Sequence, residues 1–319
     1  MRVIITGGAG FIGSHLVDRL LERNEHVTVI DNFDSFYDPQ TKRENIAAHL
    51  ENARFRLLEG DLLRTERFEP KLQGGADALV HLAARPGITA SIHDSRLYAR
   101  VNVEGTAAAL ELARRLNIRR FIFGSSSSVY GAGARLPFRE SDPADRPISP
   151  YAATKRAGEL LCHAHHHIHG GSTVCLRLFT VYGPRQRPDL AIHKFARLMS
   201  ASEPLPLYGS GDTARDYIYV DDVVRGIEAA IDYTGENADA YELVNLGRGD
   251  PVSLDRLVRL LAAALGTEAH IRLLPPRQGD VPRTWAGTGK ARELLGYAPA
   301  ITIDEGIRRF AKWYRAEGS

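Results

Sequence analysis

Tyr151 and Lys155 stand four residues apart. On a helix that spacing puts both side chains on one face. An ammonium beside a phenol favours the phenolate and lowers the tyrosine pKa. A general base acting on an alcohol near neutral pH requires that shift. Of the 41 basic residues only six are lysine, so a lysine at this spacing stands out from the background. Ser126, 25 residues before Tyr151, lies in 124–131 (GSSSSVYG), directly after the apolar stretch 120–123. A loop at the carboxyl end of a parallel strand is where ligands bind, and serine hydroxyls there can hydrogen-bond a reacting oxygen.

A second constellation opens the chain. Gly7, Gly10 and Gly13 follow the strand-like run 2–6 (RVIIT) and lead into a helical pattern carrying Leu16, Val17, Leu20 and Leu21. Glycines at this spacing permit a tight turn and a close backbone approach to a pyrophosphate, which then rests on the helix N-terminus around Phe11 and Ile12. Asp31 ends the second strand, 18 residues after Gly13, and Asn32 follows it. A carboxylate there accepts from both ribose hydroxyls of NAD and repels a 2′-phosphate, and no arginine directly follows, so NAD is expected over NADP. Asp61 and Leu62, after the third strand, are placed to meet the adenine edge.

The elements that must position these residues alternate. Strands are expected at 2–6, 26–30, 55–59, 78–82, 120–123 and 171–178, with helices at 13–23 and 103–116 between them. That order implies βαβ units and an α/β, doubly wound parallel sheet of the Rossmann kind. Beyond residue 180 the regularity weakens around Pro184, Pro188, Pro204 and Pro206, with helices expected at 221–231, 254–265, 291–295 and 305–314. The expected organisation is an NAD-binding domain over 1–179, joined by parts of 216–247, and a smaller substrate domain over 180–319. A cleft between them is the default ligand site.

Composition narrows the classes. The chain has 319 residues, 44% hydrophobic and 25% charged, which excludes disordered, collagen-like and coiled-coil chains. No stretch approaches the roughly 18 apolar residues of a membrane span. The net charge of +2 asks for neither nucleic acid nor an anionic membrane. Two cysteines, Cys162 and Cys175, cannot make a disulfide framework and fit a reducing compartment. The N-terminus lacks the apolar core of a signal peptide, so a cytoplasmic protein is expected. His163, His165, His166, His167 and His169 crowd one helix end; no carboxylate completes a metal site there, and a solvated helix face is expected, with no metal.

The motifs TGGAGFIGSHL, HLAARPG, SSSSVYG, YAATK, RDYIYVDD (215–222) and PPRQGDVPRTWA (275–286) together resemble an extended short-chain dehydrogenase/reductase of the NAD-dependent nucleotide-sugar epimerase/dehydratase family. The resemblance covers essentially the whole chain. It implies a tightly held NAD, contacted also by Leu82, Ala83 and Ala84, and a UDP-sugar substrate. It implies Tyr151 as base, Lys155 as its partner and Ser126 as the catalytic hydroxyl. Asn102 matches a structural asparagine of the family. Ser127, Ser128 and Thr180 would touch the sugar, Tyr208 would stack on uracil, and Arg215, Arg277 and Asp280 would hold the nucleotide. An arginine fork binds diphosphate oxygens bidentately. Family dimers pair through two helices per subunit, here 103–116 and the one starting near 149.

The serine loop discriminates among reactions. Family 4,6-dehydratases resemble S-T-D-E-V-Y-G and UDP-glucuronate decarboxylases S-T-S-E-V-Y-G at this place; here Ser127 and Ser128 replace those acids. Elimination would need an acid from elsewhere, for instance Glu140. Alcohol oxidation and re-reduction, that is 4-epimerisation through a 4-keto sugar, needs none. The segments 36–39 (FYDP) and 185–191 (RQRPDLA) resemble UDP-glucuronate 4-epimerases, and Arg185 is the expected partner of a sugar carboxylate. Thr89-Ala90-Ser91 departs from the Arg-Tyr-Ser of that subfamily, and Arg85-Pro86 departs from the hexose epimerases. UDP-glucuronate is therefore the leading substrate and UDP-glucose/UDP-galactose the alternative. A non-catalytic NAD-binding regulator is disfavoured by the retained Tyr151 and Lys155.

Overall fold

The computed structural model describes residues 1–72, 74–209, 213–275 and 281–317. In chain order its strands are β1 (Arg2–Thr6), β2 (His26–Asp31), β3 (Phe55–Glu59), β4 (Ala78–His81), β5 (Arg120–Ser126) and β6 (Ser172–Leu178). There follow β7 (Thr180–Tyr182), β8 (Leu205–Tyr208), β9 (Ala214–Tyr219), β10 (Tyr241–Leu246), β11 (Pro251–Ser253) and β12 (Ile271–Leu274). A seven-stranded sheet runs β10-β6-β5-β4-β1-β2-β3, and every pair in it is parallel. The order reverses between β1 and β4, which opens a crevice at their carboxyl ends.

Both faces of this sheet are covered, so its strands read as continuous apolar runs. Val3 and Ile5 point into one core layer with Leu16, Val17 and Leu20 of helix Phe11–Glu22 and Val223, Ile227 and Ile231 of helix Val220–Glu236. Ile4 points the other way, into a layer with Leu110, Leu112 and Ala113 of helix Gly105–Arg115 and with Cys162. Both cysteines are buried and free.

Three differences from the sequence reading bear on the site. β5 continues to Ser126, because Gly124, Ser125 and Ser126 stay in register with Leu176, Arg177 and Leu178 of β6. The helix expected from 103 begins as a π-helical turn, Ala99–Glu104, before Gly105–Arg115. β10 adds a strand from late in the chain to the sheet edge beside β6. Outside the main sheet, β7, β9 and β11 form a small sheet and β8 pairs with β12.

Candidate functional site

The crevice is built from backbone. Gly7 has φ +72°, and a Cβ on it would lie 2.7 Å from the amide nitrogen of Ala83. A Cβ on Gly13 would lie 2.3 Å from the carbonyl oxygen of Gly7. Gly10 is the N-cap of helix Phe11–Glu22; no side chain caps it and no acid occupies the first turn. Asp38, Asp61, Ser149 and Ser253 do cap the helices that follow them. An uncapped helix N-terminus behind a glycine turn favours an anion.

Gly7, Gly10, Phe11, Ile12, Gly13, Asp31, Asn32, Asp61, Leu62, Leu82, Ala83, Ala84, Tyr151 and Lys155 all line one cleft along this crevice. Asp31 is 6% exposed; its carboxylate accepts from the Ala9 amide at 3.2 Å and the Phe33 amide at 2.9 Å. Burial raises its pKa, and Lys42, 4.0 Å away, opposes that rise. Asp61 caps the next turn through the Leu63 amide at 2.9 Å and accepts from Asn32 at 3.4 Å. The donor set fits a dinucleotide: open amides for a pyrophosphate, a buried carboxylate for ribose hydroxyls.

The face that carries Tyr151 and Lys155 borders the same cleft. Ser149 caps helix Pro150–His169 by accepting from Ala152 at 3.1 Å, with Pro150 in the first turn, so Tyr151 stands at the helix entrance. A Cβ on Gly158 would lie 2.4 Å from the Phe123 ring, so the helix is pressed onto β5. Lys155 donates to the Gly124 carbonyl at 2.7 Å, and its ammonium lies 5.1 Å from the Phe123 ring centroid. Burial lowers the Lys155 pKa to about 8. Ser126 accepts from the Ser128 amide at 3.2 Å and from the Ser128 hydroxyl at 2.9 Å, and hydrogen-bonds Tyr151. Contrary to the sequence expectation, the Tyr151 pKa is raised, not lowered. Burial is the main cause, and Ser126 and Arg187 only partly offset it. The ammonium of Lys155 is engaged with Gly124 and sets no resolved depression of the phenol.

Asn102 locks this face to the crevice. Its amide donates to Thr154 and to the Arg85 carbonyl, both at 3.0 Å, and accepts from the Arg85 amide at 2.7 Å. His81 is hydrogen-bonded to Thr6 at 2.7 Å and Thr106 at 3.1 Å; burial lowers its pKa to about 3, which keeps it neutral.

A second cavity of about 350 Å³ adjoins the cleft. Ser126, Ser127, Ser128, Thr180, Arg215 and Tyr151 line it. Tyr151, Ser125, Phe11, Ile12 and Arg187 border both spaces. Arg185 is not on this lining: its guanidinium pairs with Asp18 at 2.7 Å, and its backbone has φ +58°. The left-handed turn directs it back to helix Phe11–Glu22, and Arg187, two residues on, reaches the cavity instead. Arg187 binds Asp189 through two hydrogen bonds of 2.9 and 3.0 Å and lies over the Phe36 ring at 5.7 Å. Tyr208 ends β8 opposite Leu274 and is not among the described lining residues. Arg277 and Asp280 lie outside the described residues.

Sequence reasoning missed Lys42 and Arg187 and noted Arg85 only as a departure from the hexose epimerases; all three line the cleft. Lys42 had a signal, being one of six lysines. It donates to the Asp34 carbonyl at 3.0 Å, while Arg85 pairs with the Asp34 carboxylate at 2.8 Å. Glu140, the acid weighed for elimination, is elsewhere: it accepts from the Asn245 amide at 2.8 Å. Among its described lining residues the second cavity holds one carboxylate, Asp189, and Arg187 engages both of its oxygens. His165 and His169 pack 4.9 Å apart, and no metal-binding group of three was found among the described residues.

The NAD dependent epimerase/dehydratase family model matches residues 3–247. The UDP-glucuronate 4-epimerase of Thermodesulfobacterium geofontis is 35% identical over 312 residues, spanning 97% of this chain and 95% of that one. The UDP-glucuronic acid 4-epimerase of Bacillus cereus, crystallised with UDP-glucuronic acid and NAD, has a TM-score of 0.92 at 36% identity and covers 99% of both chains. DesIV of Streptomyces venezuelae, a dTDP-glucose 4,6-dehydratase, reaches 0.91 at 32% identity, covering 99% of this chain and 98% of its own. An epimerase and a dehydratase thus share the backbone, and the reaction must be read from side chains. On the extent of these matches, the chain belongs to the NAD dependent epimerase/dehydratase family.

Proposed function

We propose that the protein is an NAD-dependent UDP-sugar 4-epimerase converting UDP-glucuronate to UDP-galacturonate. The observation that carries this is the position of Tyr151. It borders both the dinucleotide cleft and the sugar cavity, and that cavity offers no free carboxylate for elimination among its described residues. Bound NAD supplies a hydride acceptor and donor, and its positive ring favours the phenolate.

Tyr151 takes the proton of the sugar 4-hydroxyl and later returns it. Ser126 hydrogen-bonds the same oxygen, and Lys155 stabilises the phenolate when the site is occupied. Ser127, Ser128 and Thr180 hold the sugar while it turns over between the two half-reactions. Arg187 pairs with the substrate carboxylate in the place first expected of Arg185. Arg215, together with Arg277 and Asp280, anchors the diphosphate, and Tyr208 stacks on uracil. The dinucleotide part is taken as 1–179 with parts of 216–247, and the substrate part as the rest of 180–319.

The test is purified protein without added NAD, given UDP-glucuronate and UDP-glucose separately, with products followed by proton NMR. UDP-galacturonate in the first tube and little change in the second is the expected result. Turnover of UDP-glucose alone would move the reading to the hexose epimerase. Released carbon dioxide or a 4-keto-6-deoxy sugar would overturn it.

The working form is read as a cytoplasmic homodimer. Leu160 and Ile168 on helix Pro150–His169 are 55% and 69% exposed, which suits a helix face awaiting a partner. The two free buried thiols suit a reducing compartment. Among the described residues no helix is long and apolar enough to cross a membrane. Sedimentation at low concentration checks the dimer.

A further inference from the structure

Behind the catalytic face lies a buried charge cluster that the proton path above does not use. Glu159 follows Lys155 by one helical turn and is fully buried. One carboxylate oxygen accepts from the Ser125 hydroxyl at 2.6 Å and from Arg177 Nε at 2.9 Å. The other accepts from Arg177 Nη2 and Arg156 Nη1, both at 2.9 Å. Arg177, 1% exposed on β6, stands in register with Ser125 and lies 4.7 Å from the Tyr130 ring centroid. Tyr130 closes the serine turn and donates to Asn245 of β10 at 2.7 Å. One carboxylate therefore joins the active-site helix, the end of β5 and β6.

Such a cluster is a poor stabiliser. Taking two ions out of water costs about as much as their pairing returns, and well-packed apolar residues often do as well. Its placement argues for another task. Tyr151, Lys155 and Glu159 share one helix face at four-residue spacing, and Ser125 precedes Ser126.

We propose that Glu159 is a positioning residue for the epimerisation: through Ser125 it fixes the Ser126 hydroxyl at Tyr151, and its charge holds Lys155 as an ammonium. The proposal rests on the epimerase reading. The titratable and charged groups set against Lys155 are Tyr151, Glu159 and Cys162 on its own helix and His81 on β4, while Cys175 and Arg177 of β6 meet Cys162 and Glu159 in turn. Glu159 is the one carboxylate among them. Burial already brings Lys155 down to about 8, so losing that charge falls within a measurable range.

The experiment measures kcat, KM and retained NAD for UDP-glucuronate across pH 6 to 10. The wild-type holoenzyme is run first; if it turns over no UDP-sugar, the epimerase reading fails before the inference is reached. Ser125→Ala cuts the tether and keeps all charges. It is expected to lower kcat about tenfold with KM and the pH profile unchanged. Glu159→Gln is expected to lower kcat similarly and to move the basic limb to lower pH, because Lys155 then loses its proton sooner. Since Glu159→Gln leaves Arg177 buried without its partner, the double variant E159L/R177M, which removes both charges, is measured beside it. A folded Glu159→Gln enzyme with the wild-type basic limb overturns the electrostatic part; E159L/R177M, which removes one charge of each sign, is expected to move that limb less than Glu159→Gln does. A Ser125→Ala enzyme with wild-type kcat overturns the tether, whatever the Glu159 variants do.

Discussion

At the glycine turn of the dinucleotide cleft the close contacts are main chain. Gly7 abuts Ala83, Gly13 abuts the Gly7 carbonyl, and Asp31 accepts from the amides of Ala9 and Phe33. Around the second cavity the groups proposed to recognise the sugar are side chains: Ser126, Ser127, Ser128, Thr180, Arg187 and Arg215. The first wall hangs on the carboxyl ends of the paired strands β1 to β6. The second joins the serine turn at the end of β5 to short strands and to the loop between Tyr182 and Ala191. Where backbone does the work, substitution is sterically decided and the sequence shows glycine. Where side chains do it, one residue can stand in for another two positions away.

The comparison is broken hardest at Gly13. A valine there would put its Cβ 2.3 Å from the Gly7 carbonyl, against rigid main chain. The Gly13→Val protein is expected to purify without NAD and to lose activity to background, while wild type keeps its cofactor. Nucleotide released on denaturation, read by absorbance, decides it; retained NAD in the variant would mean that the loop yields. Next in size is Tyr151→Phe, on the wall that both spaces share. Removing the hydroxyl is expected to lower kcat by about 10² to 10⁴, the range for a general base. Cofactor and substrate binding should stay near wild type, and a Tm within a few degrees of wild type would confirm that only chemistry was lost.

This contrast also explains what was legible beforehand. Most of the six N-terminal strands of the main sheet could be read because they are buried apolar runs, as in β1 and β2, while the edge strand β3 (FRLLE) was legible from its alternation with the neighbouring helices. The dinucleotide loop could be read because only glycine fits there. β10 escaped, since YELVNL is half-exposed along part of its length and joins the sheet from late in the chain. The Tyr151–Lys155 face could be located, but the sign of the Tyr151 shift could not. Spacing reveals a neighbouring charge and is silent on burial, and burial dominates here. Arg185 was expected at the sugar because sequence cannot show a positive φ that turns a side chain away from a cavity.

Arg187→Ala sharpens the comparison from the sugar side. A hydrogen bond to a charged group is worth about 1.5 to 3 kcal/mol, so kcat/KM for UDP-glucuronate should fall roughly 10- to 100-fold. Turnover of UDP-glucose, which lacks the carboxylate, should fall less. Equal losses on both substrates would remove Arg187 from carboxylate recognition.

The cofactor half has its own pH signature. His81 is held neutral with its pKa pushed down to about 3, against an ordinary value of 6.5. Between those values the unfolded chain binds the proton and the folded chain does not, so stability rises with pH across that window. Acidification from pH 6.5 should therefore lower Tm, and His81→Asn should flatten that part of the curve even if it lowers Tm at neutral pH. An unchanged slope would assign the acid sensitivity to other groups.

The smallest effect belongs to Arg185, and it is the most direct contrast with Arg187. The Arg185–Asp18 pair is about 28% exposed on each side, in the range where an ion pair contributes about 0–1 kcal/mol. Its strained φ of +58° is a property of the turn rather than of the guanidinium. Arg185→Ala should therefore leave kcat/KM for UDP-glucuronate within about twofold and Tm nearly unmoved, while Arg187→Ala does not. If Arg185→Ala instead removes the preference for the carboxylate, the loop must rearrange on binding. The left-handed turn would then be a hinge that swings Arg185 from Asp18 to the sugar, and the division between a rigid backbone wall and an exchangeable side-chain wall would have to be redrawn through residue 185.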